Sequence, residues 1–197
     1  MENKKLNTRA GIIIAMVALA VVTRLLSQGT GFYNFAPFGA IALFGAAHFN
    51  NKWLAVLVPL AATWVSDLYV NNVIYASYYP EFTWMTTTFL WSGGAYILTA
   101  LLGFVLFTKL TVSRVAFGAI GATAIFFLIS NFSCWPGAKS IYTQDFKGLM
   151  DCYIAGLEFI KGTAWGNLIY SAVLFGGFAL LKSFVPSLQS SKKLVVA

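Results

Sequence analysis

Charged side chains are scarce in this sequence. Of the 197 residues, 10% are charged and 59% are hydrophobic, and the mean hydropathy is +0.76. A soluble domain of this length needs far more charge to cover its surface, so the composition predicts that most of the chain contacts lipid. The formal charge of +7 comes from basic residues that are scattered between apolar runs. They form no patch, so we expect no nucleic-acid partner.

The sequence also lacks the motifs of common catalytic and energy-coupling sites. It has no GxxxxGK[ST] loop, so the chain does not itself hydrolyse nucleotide through a P-loop. Its one histidine, His48, falls on the side away from most polar residues, which argues against a Ser-His-Asp arrangement. One histidine and two cysteines at unrelated spacings make no zinc signature. We expect neither an enzyme nor a bound metal or cofactor.

Long apolar runs are what the sequence has instead. A helix needs roughly 20 mostly apolar residues to cross the ~30 Å hydrocarbon core of a bilayer. Six runs reach or approach this length, although the second is short, and no linker divides the chain. We therefore predict one all-α domain over residues 1–197, a bundle of six transmembrane helices. The predicted spans are about 11–27, 36–49, 53–72, 84–108, 114–132 and 163–182.

Basic residues are divided unevenly between the two sets of alternating loops. One set carries nine and the other carries four, and the positive-inside rule assigns the richer set to the cytoplasm. Both ends of the chain fall on that side, so we predict cytoplasmic termini and a bacterial cytoplasmic membrane. The cytoplasmic set is Lys4, Lys5, Arg9, Lys52, Lys109, Arg114, Lys182, Lys192 and Lys193; the external set is Arg24, Lys139, Lys147 and Lys161.

The longest predicted loop, from Asn131 to Gly162, connects helices 5 and 6 on the external side. Loops of this length are usually functional or disordered. Leu149 and Tyr153 belong to a helical repeat within it, which predicts a short interfacial helix on the outer surface. Cys134 and Cys152 also lie in this loop and are candidates for a disulfide. Geometry decides this, because the two Cα atoms must come within about 7 Å.

Polar residues gather at or just inside the outer ends of the predicted spans. Such groups are costly near the membrane unless they pair or face water, so their clustering indicates a cavity. Arg24 can pair with Asp67, either as a structural salt bridge or as part of a ligand site, and both interpretations stay open. We predict a pocket that opens to the outside beneath the long loop. Its predicted substrate-binding residues are Asn34, Asp67, Asn71, Asn131, Trp135, Tyr153, Asn167 and Tyr170.

Small residues recur at four-residue spacing in the first two spans. The pairs are Gly11 with Ala15 and Ala42 with Ala46, and such pairs let helix backbones approach closely. Their ordinary use is packing inside the bundle. The alternative is a face that docks another membrane subunit, and we treat these four residues as candidates for it.

Six spans with both ends inside, short inner loops and long outer loops resemble the substrate-binding S components of energy-coupling-factor (ECF) vitamin transporters. More narrowly, short motifs resemble an uncharacterised bacterial membrane family related to those components. The motifs are Asn34-Phe35-Ala36-Pro37, Ala42-Leu43-Phe44-Gly45, Pro59, Ser66-Asp67-Leu68, Asn131-Phe132 with Trp135, Gly148-Leu149 with Cys152-Tyr153, and Gly166-Asn167-Leu168 with Tyr170. S components typically carry an Ala-xxx-Ala pair in the first span, where this sequence has Gly11 and Ala15.

The resemblance implies a vitamin or cofactor precursor that binds from outside, and a transmembrane coupling subunit driven by two ATPases as the partner. We therefore expect a membrane-embedded uptake subunit. A corrinoid is the first choice of ligand, because an external thiol can ligate cobalt. The alternative is a non-transporting accessory subunit of a larger membrane complex.

Overall fold

The computed structural model describes residues 2–27, 34–136 and 140–185, and the regular elements in these ranges are all helical. This confirms the all-α class. Lys139, Lys192 and Lys193, three of the basic residues used to orient the chain, lie outside the described ranges. The elements are α1 (Glu2–Ser27), α2 (Phe38–His48), α3 (Lys52–Tyr69) with a π-helical end (Val70–Ile74), α4 (Thr87–Leu106), α5 (Val112–Cys134), α6 (Phe146–Ser171), a π-helical segment (Ala172–Gly176) and α7 (Gly177–Phe184).

Within the described ranges, four helices are long and apolar enough to cross a membrane: Lys52–Ile74, Thr87–Leu106, Val112–Cys134 and Phe146–Phe184. Two shorter apolar helices, Ala10–Leu26 and Phe38–His48, accompany them. Large hydrophobic side chains are exposed on the outside of these helices, for example Val105 and Phe117. Lipid is the solvent in which such surfaces are stable. The four long apolar helices therefore indicate a membrane protein.

The longest helix corrects the prediction for the external loop. α6, the π-helical segment and α7 follow one another without a break from Phe146 to Phe184. The prediction of a separate interfacial helix was therefore wrong. Residues 135–145 form the connection between α5 and α6. The charged Glu158 and Lys161 interrupt the apolar pattern and hid this continuity, although both lie on the exposed side of the helix.

The beginning of α6 is fixed by its capping residues. The Asp145 side chain accepts a hydrogen bond from the backbone N–H of Gly148 at 2.7 Å, which satisfies one of the unpaired amides at a helix start. A Cβ on Gly148 would lie 2.0 Å from the carbonyl oxygen of Thr143, so only glycine fits here. These local contacts fix the start of α6 at Phe146, well before residue 163, where the predicted sixth span begins.

α2 is the central helix of the bundle. Every residue from Phe38 to Ala46 is buried, because α3, α4, α5 and α6 all pack around it. Ala42 is 0% exposed and Ala46 is 3% exposed, and a Cβ on Gly103 of α4 would lie 2.6 Å from the Ala46 Cβ. The prediction that this pair docks a partner was therefore wrong, since both residues pack inside the protein.

The turns α2–α3 and α4–α5 lie at the same end of the bundle, and a basic residue closes a helix at each. The Lys52 ammonium donates to the carbonyl oxygen of Ala46 at the end of α2 (2.9 Å). The Arg114 guanidinium donates to the carbonyl oxygen of Leu106 at the end of α4 (2.8 Å) and to the Thr108 hydroxyl (2.7 Å). A cation at a helix C-terminus also interacts favourably with the helix dipole.

Candidate functional site

A small cavity lies near the midpoints of α4 and α5, where the start of α2 meets α6. The space that the centre of a water molecule can occupy in it is about 20 Å³, enough for about one water-sized group. Asn34 is exposed and stands at its mouth, whereas Asn167 is buried. The lining residues are Asn34, Ala36, Gly39, Tyr96, Thr99, Ala122, Phe126, Thr163 and Asn167.

Two glycines allow α6 to approach the start of α2. A Cβ on Gly39 would lie 2.3 Å from Oδ1 of Asn167, and a Cβ on Gly166 would lie 2.9 Å from the carbonyl oxygen of Ala36. Any larger residue at either position would push the two segments apart. Asn167 is held from its other side, because its Nδ2 donates to the Thr123 hydroxyl of α5 at 3.1 Å. The Asn167 amide is therefore wedged between α2 and α5.

The segment before α2 forms one wall of the cavity. Asn34 has φ = 59°, in the left-handed region that asparagine tolerates better than most side chains. The Phe35 ring contacts the Tyr170 ring at 5.2 Å between centroids. The Tyr170 hydroxyl in turn shares a hydrogen bond with the Thr23 hydroxyl of α1 at 2.9 Å. Tyr170, a predicted site residue, is thus connected to this wall through Phe35.

A partly buried ion pair lies next to the cavity. Arg24 of α1 donates to Oδ1 of Asp67 in α3 at 3.0 Å, with side-chain exposures of 14% and 23%, and it also donates to the Ser66 hydroxyl. Its guanidinium lies over the Phe38 ring, 4.8 Å from the centroid. Phe38 meets the cavity-lining Tyr96 edge to face at 5.6 Å. The predicted pairing of Arg24 with Asp67 is confirmed, and the Phe38 ring connects it with Tyr96 in the cavity lining.

The other predicted site residues lie elsewhere. Asp67, Asn71 and Asn131 are not among the described residues that line the cavity, so the structure does not bring them together with Asn167 at this cavity. Asn131 instead lies against α6, where a Cβ on Gly156 would be 1.8 Å from its Oδ1. Polar groups at the ends of the spans have local hydrogen-bond partners. They therefore need no shared, water-filled cavity to offset the cost of burial.

Trp135 and Tyr153 hold together the end of the α5–α6 pair that lies away from the α4–α5 turn. The Trp135 indole N–H donates to the carbonyl oxygen of Thr143 at 2.9 Å. The Tyr153 hydroxyl donates to the carbonyl oxygen of Leu128 at 2.9 Å. Both side chains are therefore engaged in holding the helix ends and the loop between them, at a distance along the helices from the cavity.

The two cysteines are free thiols in the structure. Cys152 is buried and its thiol donates to the carbonyl oxygen of Asn131 at 3.1 Å. Cys134 is exposed at the end of α5, with its sulfur 3.6 Å from the carbonyl oxygen of Ser130. The predicted disulfide is therefore not formed. No group of three or more potential metal ligands occurs among the residues that the structure describes.

The sequence of the chain matches one protein-family model. A family model described as "Family of unknown function (DUF6580)" matches residues 4–188, nearly the whole chain. The chain belongs to the DUF6580 family. No curated protein and no solved structure matches it.

Sequence reasoning missed four polar or aromatic residues that line the cavity of this DUF6580 protein: Tyr96, Thr99, Phe126 and Thr163. They lie mid-helix, where threonines are common because their hydroxyls bond to the preceding turn, as Thr99 does with the carbonyl oxygen of Ala95 (2.8 Å). One signal was available. Thr163, Asn167 and Ser171 recur every four residues and share one face of α6, and all three are buried.

Proposed function

We propose that this DUF6580 protein is a membrane-embedded binding subunit for the uptake of a small molecule, with the cavity between the start of α2 and α6 as its ligand site. The supporting observation is the cavity itself. It holds uncharged polar side chains in the interior of an apolar bundle, where polar groups cost free energy unless they pair, meet water or bind a ligand. Asp67, Asn71 and Asn131 are not part of the proposed site.

In this proposal all six apolar helices belong to the membrane domain, with both termini in the cytoplasm. The turns that contain Lys52 and Arg114 face inward, in keeping with the positive-inside rule. α2, with 11 residues, is about 16 Å long at 1.5 Å per residue and crosses about half of the hydrocarbon core. Its start therefore lies at mid-depth. Broken or partial helices that meet at the membrane midplane are a common way to build a transporter site.

The partner in this proposal is a transmembrane coupling subunit that docks on α1. Gly11 and Ala15 are both exposed on that helix, and a Cβ on Gly11 would have no neighbour within 4 Å. This small-residue face corresponds to the position where S components dock their coupling protein. The same face also fits the second candidate function, an accessory subunit that binds other membrane proteins and carries no solute.

A purification experiment separates the two functions. We expect the protein in mild detergent to retain a small molecule that mass spectrometry identifies, and we expect Asn167→Ala to lose it. Asn50→Ala changes an exposed asparagine in the α2–α3 turn and serves as the matched control that keeps the molecule. A protein that co-purifies stoichiometrically with other membrane proteins, and with no small molecule, contradicts the uptake function and supports the accessory one.

The corrinoid stays a prediction, and the same experiment tests it. Cys134 is the exposed thiol at the outer end of α5 and is the candidate cobalt ligand. If the bound molecule is a corrinoid held in this way, Cys134→Ser will weaken its retention and shift its visible absorption spectrum. Retention of an unrelated molecule that is insensitive to Cys134→Ser excludes the corrinoid and leaves the uptake function standing.

A further inference from the structure

We propose that the cavity selects uncharged polar groups, such as an amide, a ring N–H or a hydroxyl, over charged groups. This inference rests on the proposed function, since it names the chemical class of ligand that the same site accepts. It depends on three features of the described residues: the charge of the lining, the hydrogen-bonding capacity that remains there, and the size of the space.

The polar side chains of the lining are asparagine, threonine and tyrosine, and none of the described lining residues carries a charge. In the nearest described ion pair, the Arg24 guanidinium lies 3.0 Å from the Asp67 carboxylate, so the two charges offset each other. Phe38, which contacts both Arg24 and Tyr96, is not itself among the described lining residues. A charged group that entered would lose its water and meet no opposite charge, which is strongly unfavourable in a medium of low dielectric constant.

The lining keeps hydrogen-bonding atoms for an uncharged polar group. Asn167 donates one N–H of Nδ2 to Thr123, which leaves its second N–H as a donor and Oδ1, on the side of Gly39, as an acceptor. Thr99 already donates its hydroxyl proton to the carbonyl oxygen of Ala95, so its oxygen can accept from a ligand. Lining residues of α4 and α6 therefore offer uncharged hydrogen-bonding groups, and an uncharged polar ligand group can pair with them without an opposite charge.

The small volume of the cavity strengthens the selection against charged groups. A space of about 20 Å³ for water centres holds one functional group of about the size of water. In this conformation the rest of a larger ligand would extend toward Asn34 at the mouth. Such a group cannot bring a hydration shell with it, so the full desolvation cost of a charge would fall on the binding step.

Reaction of an engineered cysteine with thiol reagents of matched size and different charge tests this without a known ligand. Thr163→Cys places the thiol in the cavity, in a protein that also carries Cys134→Ser and Cys152→Ser. The reagents are the hydroxyethyl (neutral), sulfonatoethyl (anionic) and trimethylammonioethyl (cationic) methanethiosulfonates. Ile141→Cys, at a site 90% exposed in the loop before α6, supplies the reference rate for each reagent.

After division by the Ile141→Cys rates, we expect the neutral reagent to modify Thr163→Cys at least about tenfold faster than either charged one, a ratio equivalent to about 1.4 kcal/mol. Equal normalised rates for the three reagents, or a preference for one sign of charge, would overturn the selection while leaving a solute site in place. If none of the reagents reaches Thr163→Cys while all modify Ile141→Cys, the cavity admits no solute and the proposed function itself fails. Thr99→Cys, on α4, replaces Thr163→Cys if that variant does not fold as judged by gel filtration.

Discussion

The contact between α2 and the long C-terminal helix has two halves of opposite character. We name the halves after the predicted topology, the outer one lying at the start of α2 and the inner one at its end. In the outer half, glycines bring backbones together around a buried amide, as at Gly39 and Asn167. In the inner half, bulky rings fill the interface: Phe44 lies 5.3 Å from Phe175 and 5.6 Å from Phe178, between ring centroids. The π-helical segment Ala172–Gly176 begins where the first kind of contact gives way to the second.

The two halves of this helix interface therefore have different roles. Close backbone contact with few side chains leaves a gap that polar groups can line, so the outer half can hold a solute. Interlocked aromatic rings leave no such gap, and His48 is enclosed by the same rings, with its centroid 4.6 Å from that of Phe178. The inner half therefore carries the packing energy and closes the cavity toward the predicted cytoplasmic side.

The largest expected effect is in the inner half. Phe44→Ala removes a ring that is buried among Phe175, Phe178 and His48, and we expect it to destabilise the protein by about 3–5 kcal/mol. Phe184→Ala, which truncates a ring 74% exposed on α7, is the matched control and should leave thermal unfolding in detergent nearly unchanged. Similar melting temperatures for the two variants would show that the inner half is not the main source of packing energy.

The ion pair beside the outer half ranks second. Arg24→Leu leaves the Asp67 carboxylate partly buried without its cation, and we expect a loss of up to about 3 kcal/mol. The double variant Arg24→Leu/Asp67→Leu removes both charges and should recover most of this loss. Thermal unfolding of the two single variants and the double variant measures the coupling. Purely additive losses would mean that the contact contributes nothing as a pair.

The glycine contact of the outer half should respond less strongly. Gly166→Ala places a Cβ against the backbone oxygen of Ala36, which cannot turn aside as a side chain can, and we expect a cost of about 1–3 kcal/mol. Gly94→Ala in α4, where an added Cβ would meet nothing within 4 Å, is the control. It should be neutral or slightly stabilising, because alanine favours the helix over glycine. Equal effects would show that α2 and α6 do not need their close approach.

The smallest effect is expected where the long helix begins. Hydrogen bonds from the Gly148 N–H and the Thr143 hydroxyl, both 2.7 Å, hold the pKa of the Asp145 carboxyl below its ordinary value. Its stabilising contribution is therefore present above the ordinary pKa of about 3.9 and is lost as the pH falls through the lower pKa of the folded state.

Asp145→Asn keeps a capping side chain but removes this titration, so its melting temperature should fall less steeply between about pH 5 and about pH 3 than that of the parent. Asp145→Ala should in addition lower the melting temperature at neutral pH. An unchanged acid profile in Asp145→Asn would mean that the carboxylate does not contribute to the start of α6.

The helices could be predicted from the sequence because apolar runs of span length have few other stable forms. The pairing of Arg24 with Asp67 was also foreseeable, since each charge near the membrane needs a partner. The start of α6 was not, because Glu158 and Lys161 break the hydropathy pattern while leaving the helix intact. Hydropathy measures the average solvent of a segment, whereas a helix continues wherever its backbone is unstrained and one side can pack.

The site was only partly predictable for a different reason. Asn34 and Asn167 were found as polar residues in apolar surroundings, but Gly39 and Thr99 gave no such signal. Their role comes from the meeting of helices that are distant in the sequence. Asn131 shows the converse, since it has the same side chain as Asn167 but lies against Gly156 of its neighbouring helix. Residue type identifies a polar group that needs a partner, and only the packing determines which partner it meets.

The burial of α2 on every side has a consequence for biosynthesis. Residues 38–48 leave the ribosome before α4, α5 and α6, yet these later helices provide much of the surface that encloses α2 in the finished protein. A helix of 11 residues is also too short to be handed to the bilayer as a stable span of its own. In the proposed six-helix arrangement, the final surroundings of α2 therefore form only after the second half of the chain has been inserted. Before that point, α2 lacks most of the helices that bury it and, among these, can pack only against α3.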